Sequence, residues 1–172
     1  MTRFAGVSLL AALQVAAAPA LEAPNVVEIS PRITTSGQPS ATALGKLKEQ
    51  GYGAVIYLAP PTVRDAVADE HLIVARQGLV FINIPIRFDG PTEADFDAFS
   101  AALGGLADRR VLVHCQVNMR ASSFVFLYRT IVLKDDPKKA YDAVEKVWVP
   151  DGPWRRLIDL ELKKHHVDFE IL

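Results

Sequence analysis

The chain contains one cysteine, Cys115, which follows His114 and precedes Arg120 by five positions. A cysteine thiolate is a strong nucleophile. An arginine guanidinium can hold two oxygens of a phosphate group side by side. If one loop brings the two groups together, the thiolate can attack phosphorus while the guanidinium holds the oxygens. These residue types and their spacing therefore favour chemistry on a phosphate ester.

The segments around the cysteine predict where such a loop would lie. The apolar run from Val111 predicts a buried strand that ends at His114, and a helix is predicted from Arg120 to Leu133. Open α/β sheets bind ligands at the carboxyl ends of their strands. Free N–H groups and the dipole at a helix start attract an anion, and a thiol at such a site is acidified. The alternative is that Cys115 is a small buried apolar residue without a chemical role.

Further strands and helices alternate along the chain. An extended entry segment is predicted at 25–33, and continuous apolar runs predict buried strands at 54–58 and 79–86. The predicted helices lie at 41–50, 63–77, 92–107, 137–147 and 154–165. This alternation predicts one α/β domain with a central, mostly parallel sheet flanked by helices and a helical C-terminal part.

The first 20 residues have the build of a secretory signal peptide. A positive charge at Arg3 precedes an apolar stretch of small residues, and the sequence APA at 18–20 suits a signal peptidase. We predict a signal peptide at 1–20 that is cleaved near Ala20, a domain at 21–172, and a periplasmic or secreted protein. The apolar stretch is shorter than the roughly 20 residues of a membrane span, so no stable insertion is expected after cleavage. An uncleaved anchor or a helix of the fold are the alternatives.

Composition limits the partners and cofactors. The formal net charge is −1 and no basic stripe is visible, so nucleic acid is not an expected partner. No clustered spacing of metal ligands occurs, so neither a metal nor another cofactor is expected. A single cysteine cannot form an internal disulfide, so its thiol stays free unless it meets another molecule.

The cysteine stretch resembles the signature His-Cys-x5-Arg-Ser/Thr of the cysteine-dependent tyrosine and dual-specificity phosphatases. The opening ISPRITTSGQPSATALGKLKEQGYGAVIYL resembles, more closely, the bacterial dual-specificity-phosphatase-like proteins related to the beta-lactamase-hydrolase-like phosphatases. The resemblance extends from about Val26 to Leu133. It implies a dual-specificity phosphatase-like fold and hydrolysis of phosphate monoesters through a phosphocysteine intermediate.

The resemblance also implies roles for individual residues. Cys115 would be the nucleophile, Arg120 would hold the phosphate, His114 would order the loop, and Ser122 would donate a hydrogen bond to the thiolate. The phosphate-binding residues would be Gln116, Val117, Asn118, Met119, Arg120 and Ala121.

A general acid must protonate the leaving oxygen. The family keeps an aspartate for this purpose in the loop after the strand that precedes the cysteine strand. The sequence FDGP provides Asp89 in a context that resembles the acid loop of several small phosphatases. Glu93 and Asp95 are the alternatives, although acidic residues are also common in the first turn of any helix.

The spacing departs from the family pattern, because four residues instead of five separate Cys115 from Arg120. In one alignment the loop is one residue shorter and the arginine keeps its place. In the other the loop keeps its length, Asn118 stands where the family has glycine, and Ala121 stands in the arginine position. We favour the second, because Asn tolerates the left-handed conformation and Ser122 then matches the family's Ser/Thr. A shifted arginine would suit a slow enzyme, a different substrate, or a binding protein without turnover.

Three functions follow from these observations. The first is an exported cysteine-dependent phosphatase, whose partner would be a phosphorylated protein or a small phosphate ester such as a phosphoinositide-like polyol. The second is a catalytically weak or inactive module of the same fold that binds phosphate or sulfate. The third is a rhodanese-like sulfurtransferase, in which the loop cysteine would carry a persulfide.

Overall fold

The computed structural model describes residues 20–171, which form one five-stranded sheet covered by helices. The predicted signal peptide, residues 1–20, lies outside the described residues except for Ala20. The strands are arranged in the order β1-β2-β5-β3-β4, with β1 antiparallel to β2 and the other pairs parallel. They are β1 Val27–Ser30, β2 Ile33–Ser36, β3 Ala54–Tyr57, β4 Val80–Asn83 and β5 Val111–His114. The predicted mostly parallel sheet is therefore confirmed.

Six α-helices and one π-helical segment, Tyr128–Val132, accompany the sheet in the described residues. The α-helices are α1 Ala41–Leu44, α2 Glu70–Ala75, α3 Glu93–Gly104, α4 Met119–Leu127, α5 Pro137–Glu145 and α6 Gly152–Lys164. The predicted cap of α3 is present: Thr92 Oγ1 accepts a hydrogen bond from Asp95 N, and Asp95 Oδ2 accepts one from Thr92 N. The predicted helix at 63–77 is wrong over its first half, because α2 begins only at Glu70.

Helix α4 is buried along almost its whole length. Every residue from Arg120 to Leu127 is shielded from solvent. Phe124, in the middle of the helix, packs against the rings of Phe99 and Trp154 at centroid distances of 5.6 and 5.3 Å. A helix held on all sides cannot shift without opening the core. The start of α4 is thereby fixed relative to the sheet.

The parallel strands end level with one another. In the strand register His114 is paired with both Ser36 and Tyr57, and Tyr57 is paired with Asn83. The loops that follow these four strands therefore meet at one edge of the sheet, where ligands bind in open α/β folds. None of the helices among residues 20–171 combines the length and apolar character needed to cross a membrane.

Candidate active site

Cys115 lies immediately after β5 at this edge of the sheet. Its side chain is buried, and it is a free cysteine. Its backbone N–H donates a hydrogen bond to Ser36 O at 3.2 Å, which extends the pairing between β5 and β2 by one residue. Cys115 therefore directly follows β5, a strand that is paired with a parallel strand on each side.

The loop after the cysteine turns into α4 through Asn118. This residue has φ 73° and ψ −3°, the left-handed conformation that the second alignment expects at the glycine position. Its amide Nδ2 donates to Asn25 O at 2.6 Å and to Thr35 Oγ1 at 3.0 Å. These contacts tie the loop to the chain around β2. They also turn the side chain away from the helix start, where it makes no capping hydrogen bond.

The first turn of α4 is consequently left without a side-chain cap. The earliest intrahelical bond is donated by Ser122 N to Asn118 O at 2.9 Å. The N–H groups of Met119, Arg120 and Ala121 precede that bond and have no intrahelical acceptor. Together with the helix dipole they form a cradle for an anion that begins four positions after the cysteine.

Arg120 lies in this first turn and is almost fully buried. Its Nε donates to Ile86 O at 3.0 Å, and its Nη1 lies 3.4 Å from Gln116 Oε1. The ring of Phe88 lies 5.1 Å below the guanidinium carbon. A guanidinium has five N–H donors, so three are left over after these two bonds. The early arginine is thus held in place by the protein and still has donors for the oxygens of an anion.

His114 is fixed by a carboxylate that sequence reasoning missed. Its Nε2 lies 2.6 Å from Glu70 Oε1, and both side chains are buried. A carboxylate oxygen accepts hydrogen bonds, so this contact suits a ring proton on Nε2. Glu70 lies within the helix predicted at 63–77, and an acidic residue in a helix does not by itself indicate a functional role. Only the fold shows that it begins α2 directly above the end of β5.

The second oxygen of Glu70 connects the histidine to the Ser-Gly-Gln-Pro turn. Gln38 Nε2 donates to Glu70 Oε2 at 2.8 Å, and Gln38 N donates to Gln116 O at 2.9 Å. At Gly37, a Cβ atom would lie 2.8 Å from Gln116 O, so a larger residue would push the cysteine loop away. The Ser-Gly-Gln-Pro turn, on which the family resemblance rests, therefore packs directly against the cysteine loop.

Tyr57 completes the packing around the histidine. Its ring stacks on His114 with centroids 4.8 Å apart and 18° between the planes. Burial, the largest cause, together with the negative charges of Glu70, Asp65 and Cys115, raises the pKa of the Tyr57 phenol well above its ordinary value. The phenol therefore stays neutral, and its ring packs as an apolar surface beside the cysteine loop.

The predicted general acid lies on the solvent side of its loop. Asp89 is 72% exposed and accepts two hydrogen bonds from Arg87, at 3.0 and 2.7 Å. The hydrogen bonds from Arg87 hold the pKa of the Asp89 carboxyl below its usual range, which favours the ionised form. Asp89 also borders a cavity of about 420 Å³ whose other wall is α6, including Arg156 and Leu157.

The two alternative acids have other partners. Glu93 Oε1 accepts a hydrogen bond from Lys164 Nζ at 2.8 Å, and Asp95 forms the cap of α3 with Thr92. The contacts of these carboxylates thus stabilise α3 and its packing on α6.

The family resemblance implies that the Ser122 hydroxyl donates a hydrogen bond to the thiolate of Cys115. In the structure this hydroxyl donates to Met119 O at 3.2 Å instead. Ser123 Oγ donates to the same oxygen at 2.9 Å. Serine hydroxyls on helices often bond a carbonyl of the preceding turn in this way. A hydroxyl has a single proton, so Ser122 would have to turn away from Met119 to reach the sulfur.

A second carboxylate reaches the cysteine loop from the segment after β3. Asp65 Oδ1 accepts a hydrogen bond from Gln116 Nε2 at 2.7 Å, and Gln116 is the residue next to the cysteine. Sequence reasoning missed this residue too, because it placed Asp65 inside a helix. The Pro60-Pro61 pair begins three positions after the end of β3. It is the sequence signal that favoured a loop in the segment before α2.

Replacing Glu70 by alanine is expected to destabilise the fold by about 2–5 kcal/mol. The change would leave the buried Nε2 of His114 without its partner, which costs about 1–3 kcal/mol, and would remove one hydrogen bond of the half-buried Gln38 Nε2, which is worth about 1 kcal/mol. Urea unfolding followed by circular dichroism measures the loss. Glu49→Ala, on an exposed site, is the matched control and should change stability by less than about 0.5 kcal/mol. Equal stability of the two variants would contradict a supporting role for Glu70.

Comparisons with known proteins give a consistent result. No family model matches the chain. A beta-lactamase hydrolase-like protein from Xylella fastidiosa (strain Temecula1) is 32% identical over 125 residues, which are 70% of this chain and 28% of that protein. The chain thus spans less than a third of the length of the curated relatives that it matches.

Solved structures show the same fold. A crystal structure described as "Putative phosphatase (DUF442)" from Shewanella putrefaciens CN-32 is 28% identical, with a TM-score of 0.76 over 83% of this chain and 92% of that one. The core catalytic domain of a PP-IP phosphatase from S. cerevisiae is 13% identical, with a TM-score of 0.66 over 85% and 88% of the two chains. Because the yeast phosphatase domain is only 13% identical to this chain, its similarity shows the fold alone. The chain therefore has the fold of the tyrosine- and dual-specificity-phosphatase-like proteins and is similar over 125 residues to a beta-lactamase hydrolase-like protein.

Proposed function

We propose that the protein is a cysteine-dependent phosphatase that hydrolyses phosphate monoesters through a phosphocysteine intermediate. The observation that carries this proposal is the uncapped start of α4, which follows Cys115 after three residues and carries Arg120 with unused N–H donors. A nucleophile, an amide cradle and a guanidinium that serve one anion are the parts that in-line attack on phosphorus requires. The DUF442 protein and the other structural relatives support the same class of reaction.

The proposed reaction has two steps. The sulfur of Cys115 attacks phosphorus, the P–O bond to the leaving group breaks, and the leaving oxygen takes a proton from a carboxylic acid. A water molecule then attacks the phosphocysteine, its proton passes to the carboxylate, and inorganic phosphate leaves as the thiolate forms again. In both steps the N–H groups of α4 and Arg120 hold the oxygens of the transferred group.

The proposed substrate is a phosphorylated protein or a small phosphate ester. The ring of Phe88, 39% exposed beside Arg120, offers an apolar surface to the part of the substrate that carries the phosphate. The proposal also includes export, on the basis of the signal-like residues 1–20, so that the substrate would be met outside the cytoplasm.

A phosphate- or sulfate-binding module without turnover is the second candidate. It is favoured by the pairing of Asp89 with Arg87, which engages the aspartate that the family resemblance assigns as proton donor. The sulfurtransferase alternative has only the anion cradle in its favour, which all three functions share.

Trapping the intermediate distinguishes these candidates. The purified protein is mixed with excess 4-nitrophenyl phosphate under reducing conditions, quenched with acid, and digested for mass spectrometry. We expect steady release of nitrophenol and one phosphoryl group on the peptide that contains Cys115. Phosphate binding without nitrophenol release would favour the module, and release of nitrophenol without a labelled cysteine would contradict the proposed nucleophile.

A further inference from the structure

We propose that Asp65, rather than Asp89, is the carboxylic acid that protonates the leaving oxygen and later activates water. This inference rests on the proposed phosphatase function and assigns a catalytic residue within it. Asp65 lies in the segment between β3 and α2, which crosses the same edge of the sheet as the cysteine loop.

A direct contact joins Asp65 to the cysteine loop. Its Oδ1 accepts a hydrogen bond of 2.7 Å from Gln116 Nε2, and the amide oxygen of Gln116 faces Arg120 Nη1 at 3.4 Å. One side-chain amide thus separates the carboxylate from the guanidinium that would hold the phosphate. Among residues 20–171 no donor contacts Oδ2 of Asp65, so this oxygen is available to carry the transferred proton.

The pKa of the Tyr57 phenol agrees with this placement of Asp65. The negative charges of both Asp65 and Cys115 contribute to the raised pKa of Tyr57, after burial and Glu70. Charges act on a buried group at short range. The Tyr57 phenol is therefore within reach of the charges of both Asp65 and Cys115.

The loop of Asp89 presents a different residue to the site. Phe88 turns its ring towards Arg120, whereas its two neighbours, Arg87 and Asp89, pair with each other at 75% and 72% exposure. Phe88 and Asp89 form a turn, in which Gly90 N lies 3.5 Å from Arg87 O. The Asp89 carboxylate is thus engaged by Arg87 and borders the cavity next to α6.

The proton balance of the reaction is complete with Asp65 alone. In the first step its carboxyl O–H bond breaks as the leaving oxygen gains the proton, and Asp65 becomes a carboxylate. In the second step the carboxylate takes a proton from the attacking water, which restores the acid. Cys115, which forms and releases the phosphocysteine, the substrate and water are the other reactants.

The test compares Asp65→Asn with Asp89→Asn on two substrates. Nitrophenolate is a stable leaving group and needs little protonation, whereas the phenolate of phenyl phosphate depends on a proton donor. General acid catalysis contributes about 10²–10⁴-fold to a rate. We expect Asp65→Asn to lower kcat/KM for phenyl phosphate by about 100-fold and for 4-nitrophenyl phosphate by less than about 10-fold. Asp69→Asn, an exposed residue of the same segment without a capping bond, is the matched control.

Each other outcome overturns the inference. An equal loss on both substrates would assign Asp65 a structural role through Gln116. A loss that depends on the leaving group in Asp89→Asn, and not in Asp65→Asn, would assign the acid to Asp89. In both cases the phosphatase activity of the unmodified protein would stand. Absence of activity in the unmodified protein would instead contradict the proposed phosphatase function. The assignment of a proton donor to Asp65 would then fall with that function.

Discussion

Replacing Cys115 by serine is expected to abolish phosphatase turnover, with a loss of about 10⁴-fold or more. The change removes the nucleophile of the proposed reaction, since a serine hydroxyl, unlike a cysteine thiolate, is not ionised at neutral pH. Initial rates with 4-nitrophenyl phosphate, measured at matched protein concentrations under reducing conditions, check the prediction.

The same variant separates chemistry from binding. The cysteine side chain is buried, and serine differs from it by one atom of similar size, so the fold should be retained. The N–H groups of α4 and Arg120 are unchanged, so the variant should still bind inorganic phosphate in a calorimetric titration. Residual turnover near the level of the unmodified protein would contradict the nucleophile, and loss of phosphate binding together with a lower melting temperature would indicate a damaged loop.

Replacing Arg120 by alanine is expected to lower kcat/KM by about 10³-fold or more. Donors that stabilise the charge of a transferring phosphoryl group contribute effects of this size. The prediction tests the unusual spacing directly, because an arginine that stands one position early contributes only if its guanidinium reaches the anion. The contacts with Ile86 O and Gln116 Oε1 leave three N–H donors for that purpose.

Two further variants control for damage to the fold. Arg120→Lys keeps the positive charge but loses the planar fork, and should recover only part of the rate. Arg129→Ala removes an arginine from the π-helical segment that continues α4, where its partner is Asp135, and should leave kcat/KM within about two-fold. Full activity of Arg120→Ala would show that the early arginine does not serve the anion and that the helix amides hold it alone.

The strands and the place of the cysteine were predictable from the sequence. The run VLVH is apolar up to its last residue, and a strand buried on both faces has this composition. The helix start at Thr92 was predictable because the capping box depends on residues three positions apart. The left-handed conformation of Asn118 also follows from a local preference of its residue type.

The segment before α2 shows where local patterns failed. A helix was predicted at 63–77, but α2 covers only Glu70–Ala75, because helix propensity is a weak preference that tertiary contacts override. The residues before Glu70 instead cross the strand ends, where Asp65 meets Gln116. Treating that segment as a helix removed both Asp65 and Glu70 from the sequence-based list of site residues.

The sequence by itself determined the alternating strands and helices and the place of Cys115 between a buried strand and a helix start, because these features depend on residues close together in the chain. Tertiary structure alone decided which carboxylates meet this part of the chain. Glu70 contacts His114 across 44 positions and Asp65 contacts Gln116 across 51, and no local pattern encodes such separations. It also decided that Asp89 turns towards Arg87 and that Arg120 is held by Ile86. The order of parallel strands brings these loops to one edge, and that order is set by packing of the whole domain.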